Sequence, residues 1–338
     1  MALRPPARRA LLRDVAQRAG VSSMTVTRTL REPAKVSART RARVEAAVRA
    51  LGYTPDLNAR GLASRRSGLV AAVVPLLTNS LIAEIVQGLT DALAAHNYQL
   101  LLGASGFDAA AEEALVGEFL SRRVDAIFLT GTSRTPATVR MLKRAGLPVV
   151  EGGNLHGRPI DMEVGYSNVR AATEITRYLL ERYDGPVGYV GAYPKDNDRA
   201  RDRRAGFEAA CAAAKRRVDP RHCIETALDL NAGAAAMARL AQSTPRPRAL
   251  FCSADALAVG AVFECQRRGL AIPRAIAIAG FDDLDIASQT LPALTTVRVP
   301  RYEIGRSAGM LICDRLAGRA LAARVVDVGF ERVLRASA

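Results

Sequence analysis

From Leu69 onward, continuous apolar runs alternate with helical stretches, and this alternation limits the fold more than any other feature of the 338 residues. LVAAVV (69–74) is apolar throughout, as a strand buried on both faces must be. A helix over about 81–95 follows, then YQLLLGA, a helix over 109–121, VDAIFLTG, a helix over 136–145 and the strand PVVEGG. After a break the pattern restarts with a helix over 171–183, PVGYVGA, a helix over 203–214, and a short strand near 223–227. A helix over 232–242, RALFCSA, a helix over 257–268, AIAIAGF and a last helix over 302–316 complete it. Strands joined through helices make parallel sheet with crossover connections. Two such units in succession predict two doubly wound α/β lobes with a cleft between them.

In open α/β sheets, ligands sit beyond the carboxyl ends of the strands. That rule marks the loops 77–80, 131–133, 193–203, 253–255 and 281–283. They carry Asn79, Thr132, Lys195, Asp196, Asn197, Arg199, Arg203, Asp255, Asp282 and Asp283. Converging polar groups suit a hydroxylated small molecule, and the Lys/Arg cluster suits an anionic one. Loops at strand ends are polar in any case, so no one of these residues is decisive alone.

Ahead of the lobes lies LRDVAQRAGVSSMTVTRTLREPAKVSARTRARVEAAVRAL, residues 12–51. Val15, Ala16 and Ala19 have helical spacing and Gly20 is a C-cap. Ser22 can cap a second helix over 23–31, and Ser37 a third that carries Val44, Val48 and Leu51 on one face and stops at Gly52. A helix, a glycine turn and a capped second helix read as a helix-turn-helix. The second helix is expected to bury Val26 and Leu30 and to turn Ser23, Met24, Thr27, Arg28 and Arg31 outward. N-terminal residues of such a helix meet base edges, so Ser23, Met24 and Arg28 are the candidate readers. Arginine grips guanine O6 and N7 in a bidentate manner, and methionine can lie against a thymine methyl. An ordinary charged surface helix would look similar; the charge distribution separates the two. Residues 1–67 hold 15 basic against 4 acidic residues, so +11 of the total +15 sits on the first fifth of the chain. That is the footprint of a phosphate-contacting module.

Between head and lobes, YTPDLNARGLASRRSG (53–68) contains a helix over about 57–63 that is too short to be stable alone and is weakened by Gly61. Leu62 reads equally well as an ordinary linker residue or as an apolar wedge for the minor groove. No run of about 18 apolar residues occurs, which disfavours a transmembrane helix. The basic start, MALRPPARRALLRDVA, lacks the apolar core of a signal peptide, and a cytoplasmic protein is expected. Five cysteines form no CxxC pair, and His96, His156 and His222 stand apart from one another, so neither a disulfide framework nor a metal site is expected. GxGxxG after the first strand, GxxxxGK[ST], GxSxG and HExxH are all missing, and the cleft loops hold no histidine. An enzyme is not expected, nor a cofactor.

LRDVAQRAGVSSMTVTRTL with VSARTRARVEAAVRALGYTPDLNARGLA resembles the head and hinge of the LacI/GalR family of bacterial repressors. The likeness continues through AAVVPLLTNSLIAEIVQGL, RDRRAGFEAA, DALAVGAVFECQRRGLAIP, AIAGFDDLDIA and LPALTTV, nearly the whole chain. Within the family, LTGTSRTPATVRMLKRAGLPVVE and AVFECQRRGLAIPRAIAIAGF are most similar to the gluconate-utilisation repressor branch. The resemblance implies a helix-turn-helix domain (1–54), a hinge (55–67) and a core like the type I periplasmic binding proteins (68–338). Lobe 1 would span about 68–166 plus 298–322, and lobe 2 about 167–297 plus 323–338. It implies phosphate contacts at Ser22, Thr25, Ser37, Thr40 and Tyr53, with Lys35 a further candidate, and it turns Leu62 into the minor-groove wedge. Effector positions fall on Asn79, Arg203, Asp255 and Asp282, with Thr132 and Ser167 beside them. Ala254, where many members carry Asn, Ser167, where an acid is frequent, and Gly61 depart from the family pattern. The first two bear on which effector is bound.

These readings converge on a repressor that binds a palindromic DNA operator as a homodimer. A small sugar or sugar acid, gluconate foremost, would control it through a shift between two arrangements of the lobes. The alternative is a transport-type sugar binder without gene regulation, which the basic head disfavours.

Overall fold

The computed structural model describes residues 10–54, 66–78, 80–193, 195 and 197–338. The chain divides into two units, Met1–Ser67 and Gly68–Ala338. The head contains α1 (Leu12–Ala19), α2 (Ser23–Arg31) and α3 (Ala38–Leu51). Gly20 and Gly52 close α1 and α3 at φ 59° and 57°, left-handed conformations that cost glycine little. Ser22 Oγ accepts from Thr25 N at 3.2 Å and Ser37 Oγ from Thr40 N at 3.3 Å, as the capping positions require. Val15, Ala16, Ala19, Val26, Val44 and Ala47 form the head core, and Arg43 Nη2 donates to Gly20 O across the turn.

One expectation for the head fails. Leu30 is 37% exposed, and Thr29 takes the buried place beside Val26, its Oγ1 donating to Thr25 O at 2.8 Å. Positions three and four beyond Val26 flank the same stripe, and α1 and α3 cover only the i+3 side.

The second unit opens with β1 (Leu69–Val74), α4 (Ser80–Ala94), β2 (Gln99–Ala104), α5 (Ala109–Ser121), β3 (Ala126–Thr130), α6 (Pro136–Ala145), β4 (Val149–Gly152) and β5 (Met162–Gly165). It continues through α7 (Asn168–Arg182), β6 (Val187–Ala192), α8 (Asp198–Ala213), β7 (Cys223–Thr226), α9 (Leu230–Ala241), β8 (Ala249–Cys252), α10 (Asp255–Arg267) and β9 (Ala277–Ala279). The last elements are α11 (Asp285–Gln289), β10 (Thr296–Arg298), α12 (Arg301–Leu316), β11 (Val325–Asp327) and β12 (Glu331–Val333). The first lobe holds a six-stranded parallel sheet in the order β11-β5-β4-β3-β1-β2, and the second a four-stranded parallel sheet, β7-β6-β8-β9. β10 and β12 form an antiparallel ladder. Strands β1, β3, β4, β6 and β8 are buried on both faces, four of them uncharged throughout, with the one charged residue, Glu151 of β4, paired to Arg134.

The structure departs from the sequence reading in several places. α8 begins at Asp198, five residues before the expected start, because Asn197 caps it by accepting from Ala200 N. β5 and the short strands β10, β11 and β12 were not anticipated. β11 pairs with β5, so 325–327 belongs to the first lobe's sheet, although 323–338 was assigned to the second. The chain returns to the second lobe afterwards, where Ile278 N bonds Ser337 O at 2.9 Å.

Candidate functional site

In the head, Ser23, Met24 and Arg28 project from α2 into solvent, Met24 with 72% of its surface exposed. Thr27 is half-buried and bonds back to Ser23 O. Ser22 and Thr25 stand at the N-terminus of α2, their hydroxyls 2.9 Å apart, and Ser37 and Thr40 repeat the arrangement on α3 at 3.0 Å. Two helix N-termini lined with hydroxyls offer amide donors and positive dipole ends to phosphate. Lys35 is paired with Glu32 at 2.7 Å on the surface, and Tyr53 packs against the head core. Leu62 lies outside the described residues.

In the core, a cavity opens between the lobes. The first lobe contributes an apolar wall, Pro75, Leu76, Leu81, Ile82 and Phe107. The second contributes Ala192, Asn197, Arg199, Ala200, Arg203, Leu228, Ser253, Ala254 and Asp282. Arg203 is the most constrained of these. Its Nε donates to Asn168 Oδ1 at 2.8 Å, Nη1 to Ser253 O at 2.6 Å and Nη2 to Tyr166 OH at 3.0 Å. The guanidinium lies 3.8 Å above the Phe281 ring and 3.3 Å from Asp282 Oδ1. Asp282 is 4% exposed, and burial raises its carboxyl pKa against the opposing pull of Arg203. Its Oδ1 is itself buried and makes an ion contact with Arg203 without a hydrogen bond, while the residue lines the cavity.

The backbone at Asp282 is strained, with φ 116°. Surrounding bonds hold it there: Asp282 N donates to Val297 O and Arg301 Nη1 donates to Asp282 O. Asp255 serves the same loop and does not wall the cavity. Fully buried, it accepts from Thr296 Oγ1 at 2.6 Å and from Leu284 N at 2.7 Å. Burial, and next the charge of Asp282, pushes its carboxyl up to about 7.

Arg199 reaches from α8 towards the first lobe. It lies against Gly131, at φ 75°, where a Cβ would collide with the guanidinium, and 6.0 Å from the Phe107 ring centroid. Thr132 and Ser167 do not wall the cavity either. Thr132 donates through N and Oγ1 to Asp198 Oδ2, both at 3.2 Å, and Ser167 caps α7 by accepting from Arg170 N. Lys195 is exposed and does not line the cavity, and Asn79 lies outside the described residues. Of the six effector candidates, the structure therefore gathers Arg203 and Asp282 on the wall.

Comparison with known proteins decides the family. Residues 11–56 match the bacterial regulatory proteins of the lacI family, and 176–338 a periplasmic binding protein-like domain. The HTH-type transcriptional regulator GntR of Escherichia coli K12 is 34% identical over 323 residues, 96% of this chain and 97% of that protein. The chain belongs to the lacI family of bacterial regulatory proteins. The HTH-type transcriptional repressor CytR of the same organism is 31% identical over 97% of this chain and 96% of its own length. A LacI-family regulator from Silicibacter pomeroyi superimposes with a TM-score of 0.90 at 31% identity, covering 97% of this chain and 99% of that one.

As a lacI-family member the protein is a DNA-binding transcriptional regulator and not an enzyme. Its head and its two-lobe α/β core are those of the family. Among the described residues, no helix is long and apolar enough to cross a membrane. The strand-end loops marked in the sequence include Ser253, Phe281 and Asp198 without giving them a role; Tyr166 and Asn168, which with Ser253 and Phe281 fix Arg203, lie outside those loops. Asn154, which meets Asp198 across the cleft, lies outside them too. Only Asp198 left a local signal, as the residue after a capping Asn.

Proposed function

We propose that this regulator is a cytoplasmic, homodimeric repressor of a palindromic operator, released by gluconate or a related sugar acid bound between its lobes. The observation that carries the effector reading is that a cation, Arg199, and a buried carboxylate, Asp282, line the same cavity wall. A sugar acid matches both, its carboxylate facing Arg199 and its hydroxyls donating to Asp282. Ala254 lines the same wall and offers no amide to a neutral sugar. The resemblance to the gluconate-utilisation branch supports the same ligand.

On DNA, Ser23, Met24 and Arg28 read bases, and Thr27 lies behind them on the same helix. Ser22, Thr25, Ser37, Thr40, Tyr53 and Lys35 hold phosphates, and Leu62 enters the minor groove. The effector acts by binding one arrangement of the lobes more tightly than the other, since nothing else shifts such an equilibrium. Calorimetry with gluconate, glucose and galactose tests the effector. Binding of gluconate alone, lost in Arg199→Ala, is the expected result; binding of neutral sugars without gluconate overturns it.

A further inference from the structure

Outside the cavity wall, a second group of contacts joins the lobes. Asp198, at the start of α8, accepts from Asn154 Nδ2 at 2.9 Å and from Thr132, both in the first lobe. Asn154 Nδ2 also lies 2.8 Å from Asp202 Oδ2, one turn further along α8. His156 places Nε2 3.1 Å from the same amide nitrogen and 3.6 Å from Asp198 Oδ2. The charged groups around the ring are Asp198 and Asp202 from α8 and Glu163 from β5, which accepts from His156 N at 2.8 Å. Arg199, the neighbouring cation on α8, faces the other oxygen of Asp198 at 3.1 Å. Asn154 and Asp198 are buried, while the His156 side chain is 39% exposed, so its ring can exchange protons with water.

The amide of Asn154 has two hydrogens. Its orientation is fixed because Oδ1 already accepts from Asn168 Nδ2 and from Leu155 N, both at 3.0 Å. In the neutral tautomer protonated at Nδ1, the lone pair on Nε2 is a third acceptor competing with Asp198 and Asp202. With a protonated ring, Nε2 becomes a donor to Asp198, and both amide hydrogens serve the two carboxylates. We propose that Asn154 and His156 of the first lobe, with Asp198 and Asp202 of the second, form a proton-operated latch that holds the lobes in the arrangement seen here.

The bond to Asp198 raises the His156 pKa above 6.5; partial burial of the ring opposes this, and the charges of Asp202 and Glu163 add to it. Parting the lobes carries both α8 carboxylates away and lets the value fall. Lobe closure and proton uptake therefore favour each other. The contribution to closure is complete below the pKa of the parted state and is lost as pH rises through the raised value. This inference rests on the proposed lobe movement, but its test needs neither effector nor DNA.

The test follows the histidine rings of the full-length protein by NMR through a pH titration, with His156→Gln to assign the signal. A spin-label pair, one label on each lobe, reports their separation. The ring of His156 should titrate above 6.5. Asp198→Asn should bring it down, with Asp202→Asn moving it the same way by less. The closed fraction should fall as pH rises through the raised His156 value and stay constant in His156→Gln. Identical titration of His156 in both aspartate variants and the wild type, or a lobe separation indifferent to pH in the wild type, overturns the latch.

Discussion

Arg203 and Asp282 face each other at 3.3 Å, both buried, and every other group around them is arranged to keep them there. Asn168, Ser253 and Tyr166 take three guanidinium nitrogens, and Phe281 lies beneath. The arginine is thus part of the second lobe's framework before any effector arrives. Breaking a buried pair by removing one partner strands a charge and costs about 3–5 kcal/mol. Arg203→Met is expected to lose stability on that scale and lower the midpoint of urea unfolding. Asp282→Asn leaves the Arg203 charge without its buried counter-charge and should lower the urea midpoint as well, with effector affinity falling by about tenfold or more, as for loss of one charge-assisted hydrogen bond.

Asp255 makes stability depend on pH in an unusual direction. Its carboxyl sits at about 7 in the folded chain against 3.8 for an ordinary aspartate, mainly through burial. The folded state therefore holds a proton that the unfolded state has released between those values, so this group's contribution is full below 3.8 and declines as pH rises to about 7. Asp255→Asn removes that slope. Urea midpoints measured across the interval should decline less steeply with pH in the variant; parallel curves would contradict the assignment.

In the head, Arg28→Ala should cost about 1–3 kcal/mol on the operator and relax one base position, with random DNA held as before. Competition binding against a panel of single-base operator variants measures both effects. Equal losses on operator and random DNA would make Arg28 a phosphate contact.

Ser22 separates capping from phosphate binding. Aspartate caps a helix about as well as serine, so Ser22→Asp should leave head stability within about 0.5 kcal/mol while repelling phosphate. DNA binding should weaken on every sequence, by gel shift, with the melting of the head unchanged. Ser22→Ala should instead destabilise the head by about 1 kcal/mol.

The parts of this architecture visible in the sequence are those set by local physics. Gly20, Ser22, Ser37 and Gly52 announce the head because capping and left-handed φ are properties of single residues. LVAAVV and RALFCSA announce buried parallel strands because no face of them meets water. β5, β10, β11 and β12 escaped, whereas the equally short β8 and β9 were legible because they lie within the longer apolar stretches RALFCSA and AIAIAGF. Leu30 was misplaced because α2's burial depends on which side α1 and α3 cover. At the cleft, Arg203 and Asp282 were reachable from strand-end position and family likeness. Asp255 and Thr132 share those positions, yet their side chains are spent on Thr296, Leu284 and Asp198, partners distant in sequence. Asn154 and His156 join α8 only once the lobes meet.

A repressor whose grip on DNA is undone by a sugar acid between its lobes must show that release in binding. Its most direct measurement is binding to fragments flanking its own gene, at fixed salt, with and without gluconate. The expected result is a sequence-selective complex that weakens steeply with salt and that gluconate dissolves. A selective complex that gluconate leaves intact would contradict it.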